Sequence, residues 1–233
     1  DHEVNAFLAG IHHGLSSRLV IHCKNSGDRL VEKLVQRGNL EAIKKINRDI
    51  FKNIKFTYVH QESQKGLGDA ILQARDRIDQ ELFAVLLADD LIINAPSATQ
   101  QLIDIAELHN ASVLGLNQVH KNDLNKYGVI SPLNGKVLDN MCWVEDIVEK
   151  PNENPPSNMA VFGRYILSHH IFGYLENLNP GFGGEIQLTD AIKLMLKEHP
   201  IAGYLYDGVK FDCGSREGYV KAIQYLASEI LDV

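Results

Sequence analysis

The sequence is poor in features that mark several large classes of protein. It has only three cysteines in 233 residues, Cys23, Cys142 and Cys213. Their spacing matches no metal-binding or redox motif, so we expect reduced thiols and a cytoplasmic protein. Its longest apolar runs are far shorter than the roughly 20 residues that a membrane-spanning helix needs. We therefore expect neither a disulfide framework nor a membrane partner.

Positive charge is also scarce. Lys and Arg number 23 against 30 Asp and Glu, which gives a formal net charge of −7. This balance argues against a nucleic-acid partner. An anionic substrate would need a metal ion or a locally basic pocket. A composition of 45% hydrophobic and 23% charged residues is typical of a globular protein with its own core, so we predict one domain over residues 1–233.

The most informative stretch runs from Phe83 to Ile92. Its first five residues, up to Leu87, are apolar and predict a strand buried on both faces, as in a parallel sheet. Asp89 and Asp90 follow where this strand should end. Because ligands of open α/β sheets bind outside the carboxyl ends of the strands, this acidic pair predicts a site. The alternative is a solvated turn in which Asp89 caps the next element.

Strand and helix patterns alternate through the first half of the chain and give way to short β runs in the second. Strands are predicted at 19–23, 55–60, 83–87, 111–118 and 160–166, and helices at 3–15, 28–34, 39–50, 69–78, 98–109, 169–176, 185–197 and 215–231. Asn134-Gly135 indicates a hairpin, and Asp207-Gly208 indicates another that joins 201–206 to 209–211. We predict an α/β fold with a doubly wound, mainly parallel (Rossmann-like) mixed sheet.

Six short motifs occur in order between Gln61 and Ser215. They are residues 61–71 together with 87–90, then 127–130, 148–151, 156–165, 184–192 and 211–215. Each is common by chance when it stands alone, but their order is specific. Together they resemble the bacterial UTP–glucose-1-phosphate uridylyltransferases, or UDP-glucose pyrophosphorylases, which have the sugar nucleotidyltransferase fold. The resemblance covers nearly the whole chain from about residue 18 onward.

The resemblance implies a Mg²⁺ site formed by Asp89 and Asp212, with Asp90 beside it as a substrate-binding residue. Hard carboxylate oxygens suit Mg²⁺, which also keeps waters and substrate phosphates as ligands. From the residues alone another interpretation stays open, because an aspartate at the end of a strand is often a cap or a turn residue.

The loop from Gln61 to Gly68 is implied to bind the uracil base of UTP. Gly66 and Gly68 allow the backbone to approach a planar base, and the Gln61 amide can donate and accept hydrogen bonds at its edge. A plain strand-to-helix turn is the alternative.

Residues 127–166 and 201–214 are implied to form a β-rich, sugar-binding part. There Glu149 would bind the sugar hydroxyls, Lys150 the sugar phosphate, and Gly128 would make a backbone contact to the ring. A surface charge pair is the alternative interpretation of Glu149 and Lys150. Glu185, at the start of a predicted helix, is a further candidate for substrate binding, and we expect Arg164 to form a structural salt bridge.

The reaction implied is attack by the phosphate oxygen of glucose 1-phosphate on the α-phosphorus of UTP, which expels pyrophosphate. This nucleophile is already ionised and needs no general base. Catalysis would then rest on alignment and on charge neutralisation, with Asp89, Lys150 and Asp212 as the catalytic residues. The resemblance also suggests a homo-oligomer, either a dimer or a tetramer. The alternatives are a non-catalytic sugar-nucleotide-binding or regulatory paralogue, and a transferase for another base or sugar.

The family's opening strand and its Gly-x-Gly-Thr-Arg loop have no counterpart in this sequence, which starts at Asp1. We expect a chain truncated at its N-terminus, with a naturally degenerate paralogue as the alternative. The absent strand would lie in the middle of the sheet. The strands at 19–23 and 83–87 should therefore flank an empty place.

Overall fold

The computed structural model describes residues 6–12, 15–23, 55–61, 63 and 65–231. Nine of its strands are β1 (Ala6–His12), β2 (Leu15–Cys23), β3 (Lys55–His60), β4 (Leu82–Leu87), β6 (Ser112–Gln118), β7 (Gly128–Pro132), β8 (Met141–Glu149), β9 (Met159–Ser168) and β10 (Ile201–Leu205). They form one sheet in the order β3-β2-β1-β4-β9-β6-β10-β8-β7. A separate two-stranded sheet pairs β5 (Asp90–Ile93) with β11 (Val209–Asp212).

The large sheet is mixed. Strands β2, β3, β4, β6, β7 and β10 run in one direction, and β1, β8 and β9 run in the other. The parallel neighbours are β2 with β3 and β6 with β10, and the other neighbours pair in antiparallel fashion. The predicted α/β class with a mixed sheet is confirmed. "Mainly parallel" describes the direction of most strands but not the pairing of most neighbours.

Helices pack on both faces of this sheet. They are α1 (Leu67–Leu72), α2 (Ala98–His109), α3 (Ile171–Glu176) and α4 (Leu188–Met195). A fifth helix, α5 (Arg216–Leu231), packs against β11 of the small sheet, where the rings of Phe211 and Tyr225 lie 5.3 Å apart between centroids. Phe83 and Val85 of β4 share one apolar cluster with α1, α3 and α4, whereas Ala84 shares another with α2. This double coverage explains the unbroken apolar run that the sequence shows at β4.

A stacked aromatic pair links β4 to the helices on the first of these faces. The rings of Phe83 and Phe172 lie 5.2 Å apart between centroids and are inclined by only 10°. Both side chains are fully buried. Burial of each phenyl ring stabilises the fold by about 1.5–3 kcal/mol. This pair anchors the start of β4, and the acidic residues of the site follow its other end.

The helix predicted over residues 3–15 is wrong for the part of it that the structure describes. Ala6–His12 is a strand, in which Phe7 pairs with Ile21 of β2 and with Leu86 of β4. Short apolar segments fit both helical and alternating spacing, and strand partners on both sides decide between them here. Because β1 lies between β2 and β4, the expected empty place is filled, and β2 and β4 do not pair directly.

The hairpin predicted at Asp207-Gly208 is also wrong. β10 joins the large sheet between β6 and β8, whereas β11 leaves it to pair with β5. The bend between them is held by Gln101 of α2, which donates to the Asp207 carbonyl oxygen at 3.0 Å and accepts from the Asp207 N–H at 2.9 Å. This bend directs β11 towards the acidic residues that follow β4.

The remaining elements follow the sequence closely, with some shifted ends. α2 has the predicted bounds, and the predicted strand at 55–60 matches β3. The helix predicted from 69 to 78 breaks into α1 and a 3₁₀ turn at Arg75–Arg77, and α4 begins at Leu188 rather than at Glu185. The helices predicted at 28–34 and 39–50 lie outside the described residues. Among the helices described here, none is long and apolar enough to cross a membrane.

Candidate active site

A cavity of about 410 Å³ opens where β4, β8 and β11 end. Seven of the candidate site residues line it: Asp89, Asp90, Gly128, Glu149, Lys150, Glu185 and Asp212. Three others, Gln61, Gly66 and Gly68, are not among its lining residues. The cavity has an acidic end near β5 and β11 and a second polar end near β8 and α4.

Strand pairing brings the acidic residues together. Asp212 is paired with Asp90 across β11 and β5, and the Cys213 N–H donates to the Asp89 carbonyl oxygen at 2.7 Å. One oxygen of Asp89 and one of Asp212 each lie 3.1 Å from the point that a Cβ on Gly214 would occupy. The two oxygens are therefore no farther apart than twice that distance.

This pair of carboxylates fits a magnesium ion better than a softer metal. Mg²⁺ is usually held by one or two carboxylates and completes its octahedron with waters and substrate phosphates. Within residues 55–231, leaving out Glu62 and Gln64, no group of three or more His, Cys, Asp and Glu side chains is placed to hold a metal ion. The donor set of Asp89 and Asp212 thus suits an ion that arrives with a nucleotide.

Lys210 of β11 lies beside the acidic end and was not predicted from the sequence as a site residue. Its ammonium is 3.3 Å from Asp90 Oδ1, and the two side chains are only 10% and 13% exposed. It also contacts the ring of Phe162 and lies 5.0 Å from the ring centroid of Tyr127. Burial lowers the pKa of Lys210 to about 8, and attraction to Asp90 opposes that shift. Burial likewise raises the pKa of Asp90, against the attraction of Lys210.

One sequence signal for Lys210 was available. It is two residues before Asp212 in a β run, so both side chains belong to the same face of the strand. A lysine between Val209 and Phe211 reads as an ordinary surface residue, because its partner Asp90 is far away in the sequence.

Arg164 supports the acidic turn through the backbone. Its guanidinium donates to the carbonyl oxygens of Leu87 at 3.2 Å and of Asp90 at 2.9 Å. These two carbonyls bracket the turn that carries Asp89. Arg164 is therefore structural, as predicted, but it holds backbone carbonyls where we expected a salt bridge.

The second polar end of the cavity is centred on Glu149. Thr189 Oγ1, at the start of α4, donates to Glu149 Oε2 at 2.6 Å, and Lys150 Nζ lies 3.5 Å from Glu149 Oε1. A Cβ on Gly128 would meet both Glu149 Oε2 and Thr189 Oγ1 at 3.4 Å, which places this glycine against the pair. The structure thus brings together Glu149, Lys150 and Gly128 and adds Thr189, to which the sequence analysis gave no role.

Two further residues complete this end. Gln187 is buried and donates to Glu185 Oε2 at 3.1 Å, which orients that carboxylate at the cavity wall. Burial, reinforced by the negative charge of Glu149, raises the pKa of Tyr165, so its hydroxyl stays protonated and can donate.

Gln61 lies behind the cavity. It is 7% exposed, and its Nε2 donates to Asp69 Oδ2 at 2.5 Å and to the Gly66 carbonyl oxygen at 3.3 Å. Since a carboxylate only accepts, the amide nitrogen of Gln61 must face Asp69. The described contacts of Gln61 hold the loop before α1.

The two glycines of this loop are explained by packing. The Gly68 N–H donates to the Ile186 carbonyl oxygen at 2.9 Å, and the Ile186 N–H donates to the Lys65 carbonyl oxygen at 2.7 Å. A side chain on either glycine would meet the backbone of Ile186, and Gly66 has a φ of 95°. Leu67, between them, reaches the cavity. A contact of Gln61, Gly66 and Gly68 with a base remains a prediction.

The α/β fold and the acidic cavity are typical of a nucleotidyl transferase domain. The family model described as "Nucleotidyl transferase" matches residues 8–229. The chain therefore belongs to the nucleotidyl transferase family.

The individual relatives belong to a narrower group within this family. A UTP–glucose-1-phosphate uridylyltransferase of Pseudomonas aeruginosa is 40% identical over 181 residues, which are 76% of this chain and 64% of the relative. The one from Staphylococcus haemolyticus is 44% identical over 170 residues, 72% of this chain and 58% of the relative. A crystal structure of UDP-glucose pyrophosphorylase complexed with UDP-glucose matches with a TM-score of 0.78 and 38% identity, over 87% of this chain and 78% of that one.

These relatives confirm the resemblance inferred from the six motifs. The chain spans less than two thirds of the length of the two curated relatives.

Proposed function

We propose that this chain carries the site for transfer of a uridylyl group from UTP to glucose 1-phosphate, giving UDP-glucose and pyrophosphate. The observation that supports this most is one cavity with two different ends. Asp89 and Asp212 lie at the end suited to a metal-bound triphosphate, and Glu149 and Lys150 lie at the end suited to a sugar phosphate.

Each of these residues has a separate role in the proposed reaction. Glu149, held by Thr189, accepts hydrogen bonds from two sugar hydroxyls. Lys150 attracts the phosphate that attacks, and Gly128 leaves room for the sugar ring beside Glu149. Asp89 and Asp212 would hold Mg²⁺, which when bound would offset the negative charge that develops on the triphosphate. No general base is required, because the attacking phosphate is already ionised.

Further properties belong to the same proposal. The loop that contains Gln61, Gly66 and Gly68 binds the uracil. Leu67, between the two glycines, is the residue through which this loop reaches the cavity. Asp90 and Glu185 contact substrate from the cavity wall. The protein is cytoplasmic and works as a homo-oligomer, a dimer or a tetramer, as the resemblance suggests.

The test is a turnover assay run beside a binding assay. The chain, and a longer form that adds the Gly-x-Gly-Thr-Arg segment of its relatives, are incubated with UTP, glucose 1-phosphate and Mg²⁺, and pyrophosphate release is measured. UDP-glucose binding is measured by calorimetry on the same samples. Release by either form that requires both substrates supports the proposal. Binding of UDP-glucose with no pyrophosphate from either form would indicate a non-catalytic paralogue, and the absence of both would reject the sugar-nucleotide site.

A further inference from the structure

Lys210 is a buried cation next to three carboxylates, and the reaction proposed above does not use it. Its ammonium faces Asp90 at 3.3 Å and contacts the rings of Phe162 and Tyr127. A buried lysine is costly to keep charged unless it compensates a specific negative group. The only carboxylate that an ion pair assigns to it, within the described part of the chain, is Asp90.

Asp90 is paired at one carboxylate oxygen and lies in close contact with Gly163 at the other. Oδ1 faces Lys210, and Oδ2 packs so closely on Gly163 that any Cβ there would overlap it. The backbone of Asp90 is fixed as well, since Arg164 donates to its carbonyl oxygen at 2.9 Å. Asp90 lines the cavity, but its described contacts are with Lys210 and Gly163.

Asp89 and Asp212 are more accessible than Asp90, although the Gly214 N–H donates to Asp212 Oδ1 at 3.0 Å. Both are exposed, and their oxygens converge near Gly214. Three ionised carboxylates would give this edge a charge of −3, and Lys210 reduces it to −2, which matches a divalent cation.

We infer that Lys210 is a positioning residue that withdraws Asp90 from the metal site, so that Asp89 and Asp212 alone face a divalent cation. The inference rests on the proposed function, because it assumes that these two aspartates bind the metal. It assigns different roles to the adjacent Asp89 and Asp90, which their positions in the sequence do not distinguish.

The consequence is a preference among cations. Mg²⁺ needs few protein ligands, whereas Ca²⁺ takes six to eight oxygens and gains from a third carboxylate. If Lys210 is replaced by methionine, Asp90 becomes available and the local charge becomes more negative. Lys210→Met should therefore bind Ca²⁺ more tightly, by roughly tenfold or more, and should raise the ratio of Ca²⁺ to Mg²⁺ affinity.

The experiment is a calorimetric titration of the metal-free protein at pH 7, where Lys210 is charged, with MgCl₂ and with CaCl₂ separately. The variants are Lys210→Met, Lys210→Arg, Asp90→Asn and the double variant Lys210→Met with Asp90→Asn. Lys221→Met is the matched control, because it removes one charge from an exposed pair with Glu217 on α5. Circular dichroism checks that each variant is folded.

The two single variants should change the affinity for cations in opposite directions. Lys210→Met tightens cation binding, and Asp90→Asn weakens it because Lys210 is left without its partner. The double variant and Lys210→Arg return to within about threefold of the wild type, and the control matches the wild type. A merely structural role would weaken binding in both single variants.

Several results would overturn the inference. It is wrong if Lys210→Met binds both ions like the control, or if it weakens both. If Lys210→Met does not fold, the double variant and Asp90→Asn decide, and equal weakening in these two rejects the inference. If the wild type itself binds no divalent cation, the metal part of the proposed function has failed, which is a different outcome from a wild type that binds Mg²⁺ and variants that do not shift.

Discussion

At the residue scale, the two aspartates proposed to bind the metal come from strand ends more than a hundred positions apart in the sequence. Pairing of Asp212 with Asp90 sets the distance between them, and the backbone hydrogen bond from Cys213 to Asp89 locks the two ends together. The loss of one carboxylate removes a metal ligand but leaves this pairing in place. A substitution at Asp89 should therefore lower the activity with little effect on the stability of the fold.

The first prediction is that Asp89→Asn lowers kcat/KM for uridylyl transfer on the order of 10³-fold, because several kcal/mol of transition-state stabilisation are lost. The free energy of unfolding should change by less than about 0.5 kcal/mol, as is usual at exposed positions. Steady-state kinetics at saturating Mg²⁺ and urea unfolding measure the two quantities. Asp104→Asn on the exposed side of α2 is the control. A rate that falls less than tenfold would show that Asp89 does not bind the metal.

Thr189 permits a second prediction at this scale. Its hydroxyl donates to Glu149 Oε2 at 2.6 Å, so Thr189→Val leaves the carboxylate without that donor. The KM for glucose 1-phosphate should rise about 5- to 150-fold, the range expected when 1–3 kcal/mol is lost at a buried polar group. The KM for UTP should not change, and Thr189→Ser should behave like the wild type.

Glu149→Gln offers a cross-check on Thr189. If the two residues act as one unit, the double variant should be no worse than the poorer single variant, because contacting residues are not additive. Equal increases in both KM values would contradict the division of the cavity into a metal end and a sugar end.

At the scale of elements, the turn between β4 and β5 depends on one side chain from β9. Arg164 donates to carbonyls on both sides of this turn. Asp89 has no such anchor of its own side chain among the described contacts. The position of the acidic residues is therefore coupled to β9, the strand that lies between β4 and β6.

The third prediction compares Arg164→Met with Ser97→Ala, which removes a helix cap. Arg164→Met should lower the free energy of unfolding by about 1.5–3 kcal/mol for each carbonyl left unpaired, and it should also lower kcat/KM. Ser97→Ala removes the N-cap acceptor of the Gln100 N–H on α2 and should lower it by about 1 kcal/mol with no kinetic effect. Urea unfolding and steady-state kinetics on both variants provide the comparison. A kinetic effect of equal size in Ser97→Ala would mean that stability alone is responsible.

The elements also show what the sequence can predict. α2 was predicted with the observed bounds, and the structure shows that the features that end it are local: Ser97 caps its start, and Asn110 takes the left-handed conformation at its end. β1 was predicted as a helix, and β11 was predicted as a strand but with the wrong partner, because β4 and β5, which pair with them, are remote in the sequence. Nothing within Ala6–His12 or Val209–Asp212 indicates that β4 and β5 will pair with them.

The residues of the candidate site show the same difference between local sequence signals and long-range contacts. Asp89, Asp212, Glu149 and Lys150 were recognised from motifs, and the structure places them around one cavity. Lys210 and Thr189 were given no role, because their importance comes from single long-range contacts to Asp90 and Glu149. Gly66 and Gly68 are the opposite case. They were predicted to contact the base, but close packing on Ile186 already explains why both are glycine.

At the scale of the whole molecule, net charge and cavity charge act together. The chain carries a net charge of −7, and the cavity wall has more carboxylates than ammonium groups. UTP is strongly anionic, so a divalent cation must offset repulsion that local contacts cannot remove. Glucose 1-phosphate has a smaller charge, and in the proposed function it meets Lys150 directly.

The fourth prediction follows from this difference. Removal of Mg²⁺ with EDTA should weaken UTP binding by at least about tenfold, since the repulsion of unscreened like charges at a few ångströms is worth more than 1 kcal/mol. The affinity for glucose 1-phosphate should change by less than about threefold, because Glu149, Thr189 and Lys150, the residues proposed to bind it, do not need the metal. Calorimetric titration of each ligand with and without Mg²⁺ measures both effects at one ionic strength. A variant with Lys150→Met should reverse the pattern, with glucose 1-phosphate weakened and the Mg²⁺ dependence of UTP binding retained. If EDTA weakened both ligands equally, the metal would serve the whole cavity, and the assignment of Asp89 and Asp212 to the triphosphate would be wrong.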